Sequence, residues 1–260
     1  LVACGSSDSA TKSDNWSTYE SEKSITIGFD KTFVPMGFEQ TDGSYTGFDI
    51  DLANAVFEKY GITVEWQPID WDLKETELTN GNIDLIWNGY SITDERKDKV
   101  LFTNPYMDNQ QVLVTKKSSN ISQVSDMKDK VFGAQAGSSG YSVFEGQPAF
   151  LTAIVQNNDA SPYATCNEAL IDLKNDRIDG LWIDRVYANY YLQQEGIIDD
   201  YHIMDAGFEN EAFAVGARQS DTTLVENINK AFTELYKEGQ FQKISQKWFG
   251  DDVATDAVKN

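Results

Sequence analysis

Hydrophobic positions along the chain alternate between two spacings, which predict strands and helices in turn. Residues 24–29 are rich in β-branched side chains and predict a strand. In residues 48–61 apolar side chains recur every three or four positions and a glycine follows, which predicts a helix. A strand at 63–67, a helix at 72–80 and a strand at 83–87 come next. This βαβαβ order predicts a sheet of parallel strands covered by helices.

The same alternation begins again after a long predicted strand at residues 111–115. The second block has three predicted strands, at residues 130–134, 154–156 and 180–183. Its predicted helices begin at residue 140 and span residues 166–175 and 185–194. The chain then continues through a predicted strand at 213–216 and helices at 222–237 and 241–248.

Two α/β blocks joined by extended segments predict an α/β fold of two lobes. We expect the first lobe to comprise residues 24–109 together with 213–260, and the second to comprise residues 110–212. Each lobe would then be connected to the other through two crossing segments. Residues 1–23 are polar and carry little apolar surface to bury, so we expect them to form a disordered tether.

The segment Leu1-Val2-Ala3-Cys4-Gly5 resembles the processing site of bacterial lipoproteins. In that pattern a signal peptide is cut before the cysteine, whose thiol then carries a diacylglycerol. We therefore expect an extracytoplasmic protein that is anchored to the cell membrane by lipid on Cys4. The alternative is that Cys4 is an ordinary cysteine.

Composition limits the chemistry that the chain can perform. Its formal net charge of −21 repels phosphate backbones, so we expect no nucleic-acid partner. It has two cysteines and one histidine, which are too few for a Cys/His zinc site. If Cys4 is lipidated, the other cysteine has no partner, so we expect no disulfide framework. His202 lies in a short strand-like run and is expected to be structural. We expect no metal and no cofactor.

Three segments together resemble one known family, the type II periplasmic binding proteins that capture polar amino acids for ABC importers. They are residues 27–35 with 47–52, residues 83–97 with 102–106, and residues 133–140 with 173–184. The resemblance covers nearly all of the chain after residue 23. It implies a monomeric binding protein rather than an enzyme, with a free L-amino acid and a membrane permease as partners.

A planar guanidinium can hold a carboxylate through two parallel hydrogen bonds, and Arg96 follows Ser91-Ile92-Thr93 in the second segment. The resemblance places the ligand carboxylate on Arg96 and on amides of Ser91 and Ser139. The alternative for Arg96 is a surface salt bridge with Asp94 or Glu95. For the glycine-serine run around Ser139, the alternative is a plain turn between strand and helix.

Asp184 ends a predicted buried strand, a position where ligands bind in open α/β sheets. The resemblance assigns the ligand ammonium to Asp184, to the Gly89 carbonyl and to the Ser91 hydroxyl. The alternative is that Asp184 caps the helix that begins at Arg185.

The resemblance assigns the side-chain pocket of the ligand to Asp30, Phe33, Trp71, Gln135 and Asn88. An aromatic pair beside a carboxylate suits a cation, so we expect arginine first and lysine, ornithine or histidine behind it. Glutamine and cystine are the alternatives, because an aspartate can also accept from a neutral amide. Core packing is the alternative for the two aromatic residues.

Two other functions fit the same fold. Cyclohexadienyl dehydratases look similar overall, but Asp184 would repel the second carboxylate of their substrates. A sensor domain of a receptor is the other alternative. Because fold alone does not decide function, the residues of the site have to discriminate between them.

Overall fold

The computed structural model describes residues 13–260 of the chain. The predicted lipid attachment at Cys4 lies outside the described residues. The strands are β1 (Ser24–Phe29), β2 (Thr32–Phe33), β3 (Gly37–Glu39), β4 (Tyr45–Thr46), β5 (Thr63–Pro68), β6 (Leu85–Ile86), β7 (Leu101–Phe102), β8 (Met107–Asn109), β9 (Gln111–Lys116), β10 (Phe132–Gln135), β11 (Ser161–Tyr163), β12 (Gly180–Asp184), β13 (Tyr201–Asp205), β14 (Glu211–Phe213) and β15 (Gly216–Ala217).

The helices are α1 (Trp16–Glu22), α2 (Phe48–Glu58), α3 (Lys74–Thr79), α4 (Asp94–Lys97), α5 (Ser139–Glu145), α6 (Cys166–Lys174), α7 (Arg185–Gln194), α8 (Thr222–Lys237), α9 (Gln240–Phe249) and α10 (Asp256–Lys259). Short helical turns also occur at Trp71–Leu73, Lys117–Ser119, Val124–Met127, Pro148–Thr152, Gln156–Asn158 and Ile198–Asp200.

The first sheet contains β5, β1, β6, β15 and β7 in that order. Strand β1 pairs in parallel with β5 and β6, as the βαβαβ pattern predicts. Strand β15 comes from the C-terminal part of the chain and pairs antiparallel with β6 and β7. The first lobe is therefore built from both ends of the described chain.

The second sheet contains β11, β10, β12, β9 and β13 in that order. Strand β10 pairs in parallel with β11 and β12, whereas β9 pairs antiparallel with β12 and β13. The expected two-lobe α/β fold is thereby confirmed.

Two antiparallel strands, β8 and β14, pair with each other where the chain crosses between the lobes. The expected lobe boundaries lie next to these strands, and the precise division at residues 109/110 and 212/213 stays a prediction. A further small sheet of β2, β3 and β4 follows β1 and was not predicted from the sequence.

Helix α8 shows how the C-terminal part of the chain completes the first lobe. Its apolar face is buried against neighbouring helices, including α2 and α9. The buried residues are Leu224, Val225, Ile228, Ala231, Phe232 and Leu235. Burial of each large apolar side chain contributes roughly 1.5 to 3 kcal/mol at most.

The expected tether of residues 1–23 is wrong for Trp16–Glu22, which form α1. Tyr19 is buried, and its hydroxyl donates to Asp221 Oδ2 at 2.8 Å. The Asn15 amide donates to Asp221 Oδ1 at 2.8 Å, and Trp16 packs edge-on against Tyr60. These contacts with distant parts of the chain supply burial that local composition does not reveal.

The strand expected at residues 154–156 is also wrong. Val155 is buried in the core of the second lobe, and the third parallel strand is β11 instead. Sequence reasoning passed over β11 because it contains Pro162. A proline lacks the amide donor, but β11 is an edge strand with only β10 beside it, where proline is tolerated.

Candidate ligand-binding site

A cavity lies between the two lobes, and its walls come from both of them. It is lined by Asp30, Phe33, Trp71, Asn88, Gly89, Arg96, Gln111, Gln135, Ser138, Ser139, Cys166, Trp182, Ile183 and Asp184. Apart from Ser91 and the lipidation residue, every predicted site residue is among them. Ser91 borders the site through its carbonyl, which accepts a hydrogen bond from Arg96 at 2.8 Å.

The carboxyl ends of parallel strands deliver several of these side chains to the cavity. Asp30 follows β1, Gly89 lies three residues after β6, Gln135 ends β10 and Asp184 ends β12. In open α/β sheets this edge is where ligands bind.

Arg96 points inward. It is buried, and its Nη2 donates to the Gly137 carbonyl of the other lobe at 3.0 Å. Its guanidinium carbon lies 4.4 Å from the centre of the Tyr90 ring. The alternative of a surface salt bridge fails, because Asp94 and Glu95 pair with Lys97 and Lys99 instead.

Asp184 occupies the N-cap position of α7 but makes no capping hydrogen bond with its side chain. Its Oδ1 instead accepts a short hydrogen bond from Gln111 Nε2. Burial, and next the negative charge of Glu211, raise the pKa of Asp184 to about 7. The side chain therefore lines the cavity and does not cap the helix.

Gly89 is held by a buried carboxylate that sequence reasoning missed. Its amide donates to Asp49 Oδ2 at 2.7 Å, and the Tyr106 hydroxyl donates to Asp49 Oδ1 at 2.6 Å. Burial raises the pKa of Asp49 to about 7. Gly89 has a φ of +59°, and a Cβ there would lie 2.7 Å from a Phe33 ring carbon. Glycine is thus required at this turn.

The hydroxyls of both predicted serines contact Glu211, a residue that sequence reasoning also missed. Ser91 Oγ donates to Glu211 Oε2 at 2.7 Å, and Ser139 Oγ donates to the same oxygen at 3.0 Å. Ser139 begins α5, with the Ser138 hydroxyl as N-cap acceptor for Tyr141. Glu211 lies among other polar residues in the sequence, and no local pattern distinguishes it.

Asp30 is buried at the cavity wall. Its Oδ1 accepts from the Thr32 amide at 2.9 Å and hydroxyl at 2.7 Å, whereas Oδ2 accepts a longer bond from Gln135 Nε2 at 3.3 Å. Burial is the main cause that raises the pKa of Asp30. The adjacent Lys31 pairs with Glu39, so the lysine charge is directed to Glu39 and not to Asp30.

Phe33 and Trp71 both line the cavity and both pack against protein. Phe33 stacks on Tyr187 with ring centres 5.5 Å apart, and Trp71 meets Tyr90 edge-on at 5.8 Å. The Asn88 side chain accepts from the Asp30 amide at 3.1 Å and so positions that residue. That the two rings flank a ligand side chain stays a prediction.

Comparison with known proteins decides the family. The sequence model of the bacterial extracellular solute-binding proteins, family 3, matches residues 25–251. The chain belongs to this family. The resemblance drawn from the three sequence segments is thereby confirmed.

Proteins similar to this chain include binding proteins for different amino acids. The arginine-binding extracellular protein ArtP of Bacillus subtilis is 30% identical over 96% of this chain and 92% of its own length. The L-cystine-binding protein TcyJ of Escherichia coli is 29% identical over 88% of this chain and 84% of its own.

Two solved structures are more similar in sequence. An ABC uptake transporter substrate-binding protein from Streptococcus pneumoniae, with bound histidine, is 71% identical and has a TM-score of 0.92. The match covers 94% of this chain and 99% of the Streptococcus pneumoniae chain. A polar amino acid ABC uptake transporter substrate-binding protein from Streptococcus thermophilus is 65% identical, with a TM-score of 0.63. That match covers 96% of this chain and 95% of its own.

A lysine not expected from the family motifs also bridges the lobes. Lys74 is buried, and its Nζ donates to the Gly137 carbonyl at 2.9 Å and the Trp71 carbonyl at 3.1 Å. Arg96 donates to the same Gly137 carbonyl, so two cations of the first lobe hold one oxygen of the second. Burial, and next the charge of Arg96, lower the pKa of Lys74 to about 8.

Residues 13–260 lack two kinds of feature. None of their helices has both the length and the apolar character needed to cross a membrane. No group of three or more His, Cys, Asp or Glu in that part of the chain is arranged to hold a metal ion.

Proposed function

We propose that this protein binds a basic L-amino acid outside the cytoplasmic membrane and delivers it to an ABC importer. L-Histidine is the first ligand to test. One observation carries the proposal: the charged side chains that line the cavity are one cation, Arg96, and two carboxylates, Asp30 and Asp184.

These charges are complementary to those of a basic amino acid. Arg96 pairs with the ligand carboxylate, Asp184 with its ammonium and Asp30 with its side-chain cation. Ser91, Ser139 and Gly89 complete the contacts to the two backbone groups. An unpaired buried charge is costly, so a ligand that leaves Asp30 unmatched binds more weakly.

One observation supports histidine before arginine, and a second is compatible with both ligands. The relative from Streptococcus pneumoniae, at 71% identity, has histidine bound. From the described residues Asp30 Oδ2 accepts one long hydrogen bond, so it can also accept from an imidazolium or a guanidinium. Sequence reasoning placed arginine first, and we retain arginine as the second ligand. Glutamine and cystine remain the neutral alternatives.

Delivery to the importer depends on a change between open and closed lobes. The ligand contacts residues of both lobes and therefore stabilises the closed form. Two relatives above 60% identity superpose on this chain with TM-scores of 0.92 and 0.63. Chains this similar share the fold of each lobe, so we attribute the lower score to a different angle between the lobes.

We also propose that Cys4 carries a lipid that ties the protein to the cell membrane. The support is the sequence pattern Leu1-Val2-Ala3-Cys4-Gly5. Intact mass spectrometry of protein extracted from membranes is expected to show an acylated cysteine. An unmodified, freely secreted chain would contradict the anchor.

The ligand is tested by a thermal-shift screen against histidine, arginine, lysine, ornithine, glutamine and cystine, followed by competition calorimetry. A ligand at about 100 times its Kd is expected to stabilise the protein by about 2.7 kcal/mol. The variant Asp30→Asn should lose the preference for basic ligands, whereas Asp42→Asn, on an exposed turn, should keep it.

Three results are informative. Tighter binding of glutamine or cystine than of histidine and arginine would contradict the basic ligand but leave the binding function intact. The absence of binding to any amino acid would contradict the function itself. Incubation with prephenate and arogenate is expected to yield no product, and turnover of either would support the dehydratase alternative.

A further inference from the structure

Glu211 lies on the crossing strand β14, and its carboxylate collects donors from both lobes. Its Oε2 accepts from Ser91 Oγ at 2.7 Å and Ser139 Oγ at 3.0 Å. It also accepts from Gln111 Nε2 at 3.1 Å and Asn109 Nδ2 at 3.4 Å. One oxygen thus joins the first lobe, the second lobe and the opposite crossing segment.

The hydrogen bond from Ser91 Oγ to Glu211 determines whether the Ser91 hydroxyl donates to a ligand or accepts from it. A hydroxyl has one proton to donate and two lone pairs that accept. Because the proton of Ser91 goes to Glu211, its lone pairs remain for an N–H donor. A ligand ammonium is such a donor, whereas a ligand carboxylate is not.

The cluster around Gln111 has more acceptors than donors. Gln111 Nε2 has two hydrogens, but three acceptors lie within reach: Asp184 Oδ1, Glu211 Oε2 and Ser139 Oγ. Among the described residues, the buried Glu211 Oε1 also has no hydrogen-bond partner. An ammonium adds three N–H donors and a positive charge, which is what this cluster lacks.

We propose that Glu211 is a positioning residue of the ammonium subsite, where it orients the Ser91 hydroxyl as an acceptor and adds a second negative charge beside Asp184. The inference rests on the proposed function, because it assumes that the ligand is an α-amino acid. It separates Glu211 from the residues that receive the ligand carboxylate.

The titration of Asp184 agrees with this geometry. Burial and the charge of Glu211 raise its pKa to about 7, while Arg96 acts in the opposite direction. The buried thiol of Cys166 also lies close to Asp184, and burial, with the charges of Asp184 and Asp30, raises its pKa well above the ordinary value. An ammonium requires the ionised carboxylate, so affinity is expected to fall as the pH drops below about 7. Without the charge of Glu211, this fall should begin at a lower pH.

The test uses calorimetry with L-histidine and with 3-(imidazol-4-yl)propionate, which lacks the α-ammonium. Glu211→Gln keeps the shape and an acceptor oxygen but removes the charge. We expect it to weaken histidine binding about tenfold or more, and to change binding of the analogue less than about twofold. Glu211→Ala, which also releases the Ser91 proton, should weaken histidine at least as much. Glu209→Gln, at an exposed position two residues away, is the matched control.

The same titrations at several pH values between about 5 and 8 provide a second readout. Both proteins bind the same ligand and share Asp30, so only the difference between their pH profiles reports on Glu211. We expect the decline of affinity in Glu211→Gln to lie at lower pH than in the wild type.

Three outcomes would overturn the proposal. They are equal loss for histidine and its analogue, parallel pH profiles, and tighter binding of histidine, which would mean that Glu211 competes with the ligand for Ser139. A wild-type protein that binds no amino acid would contradict the proposed function and the role of Glu211 together. Wild-type binding with an unchanged Glu211→Gln variant contradicts the role of Glu211 alone.

Discussion

Asp49 is the buried carboxylate through which we expect the stability of this protein to depend on pH. It lies in the first turn of α2, and accepts hydrogen bonds from the Gly89 amide and the Tyr106 hydroxyl. Burial outweighs these bonds and raises its pKa from 3.8 to about 7. The substitution Asp49→Asn removes the titration but keeps a side chain of the same shape.

The sign follows from the proton bound in each state. At about pH 5 the folded carboxyl of Asp49 holds a proton that the unfolded chain has lost, so the folded state is favoured. That contribution disappears as the pH rises through about 7. Two pH units separate pH 5 from this pKa, which corresponds to about 2.7 kcal/mol. The wild type should therefore lose about that much stability between pH 5 and pH 8 from Asp49.

Urea unfolding followed by tryptophan fluorescence, at about pH 5 and about pH 8 without ligand, measures the difference. Asp184 and Asp30 also have raised pKa values, but they contribute equally to the wild type and to Asp49→Asn. The variant should lose less stability than the wild type over this range, by about 2 to 3 kcal/mol. Glu58→Gln, on the exposed face of the same helix, should behave like the wild type. Parallel losses in wild type and Asp49→Asn would refute the reasoning.

Three further predictions concern the ligand-binding residues Arg96 and Asp184 and the helix α1. Arg96→Ala should reduce affinity for every amino acid by about thirtyfold or more, because loss of a buried charge partner typically costs about 2 to 5 kcal/mol; near-normal calorimetric affinity of the folded variant would contradict it. Asp184→Asn should weaken amino acids far more than analogues without the α-amino group, and equal losses would point to a structural role. Tyr19→Phe removes hydroxyl contacts to Asp221 and Arg218 and should lower the free energy of unfolding by about 1 to 3 kcal/mol in urea titrations. An unchanged midpoint and slope would show that the Tyr19 hydroxyl does not contribute measurably to stability.

Lys74 and Arg96 of the first lobe both contact Gly137 of the second lobe. These contacts join the two lobes directly through protein atoms. Gly137 has a φ of +72°, and a Cβ there would lie 2.8 Å from Asp72 Oδ1. The close approach of the lobes at this point therefore depends on a glycine.

Local pattern was sufficient where a feature depends on neighbouring residues. The helices around 48–61 and 222–237 follow from apolar side chains at three-and-four spacing, because one face of each must be buried. The parallel order of β1, β5 and β6 follows from alternation of strands and helices. Asp184 was found because it ends a strand, and such ends meet at one edge of a sheet, whereas Asp30 was assigned by the family resemblance.

The family motifs identified a site residue that hydrophobic pattern and composition did not indicate. Arg96 lies in a short polar helix, where a surface salt bridge is the ordinary expectation. Only its position after Ser91-Ile92-Thr93 indicated a ligand clamp. The structure places it inside the cavity, while Asp94 and Glu95 make the surface ion pairs.

Local pattern and motif were enough to predict the two α/β blocks, the strand ends that carry Asp30 and Asp184, and the motif that carries Arg96. Which polar groups meet became visible only in the folded chain: Ser91 with Glu211 across 120 positions, Gly89 with Asp49, and Lys74 with Gly137. It also decided that α1 folds, through Asp221. The physical reason is that periodicity reports which apolar side chains need burial, whereas a buried polar group is stabilised by one specific partner that can lie anywhere along the chain.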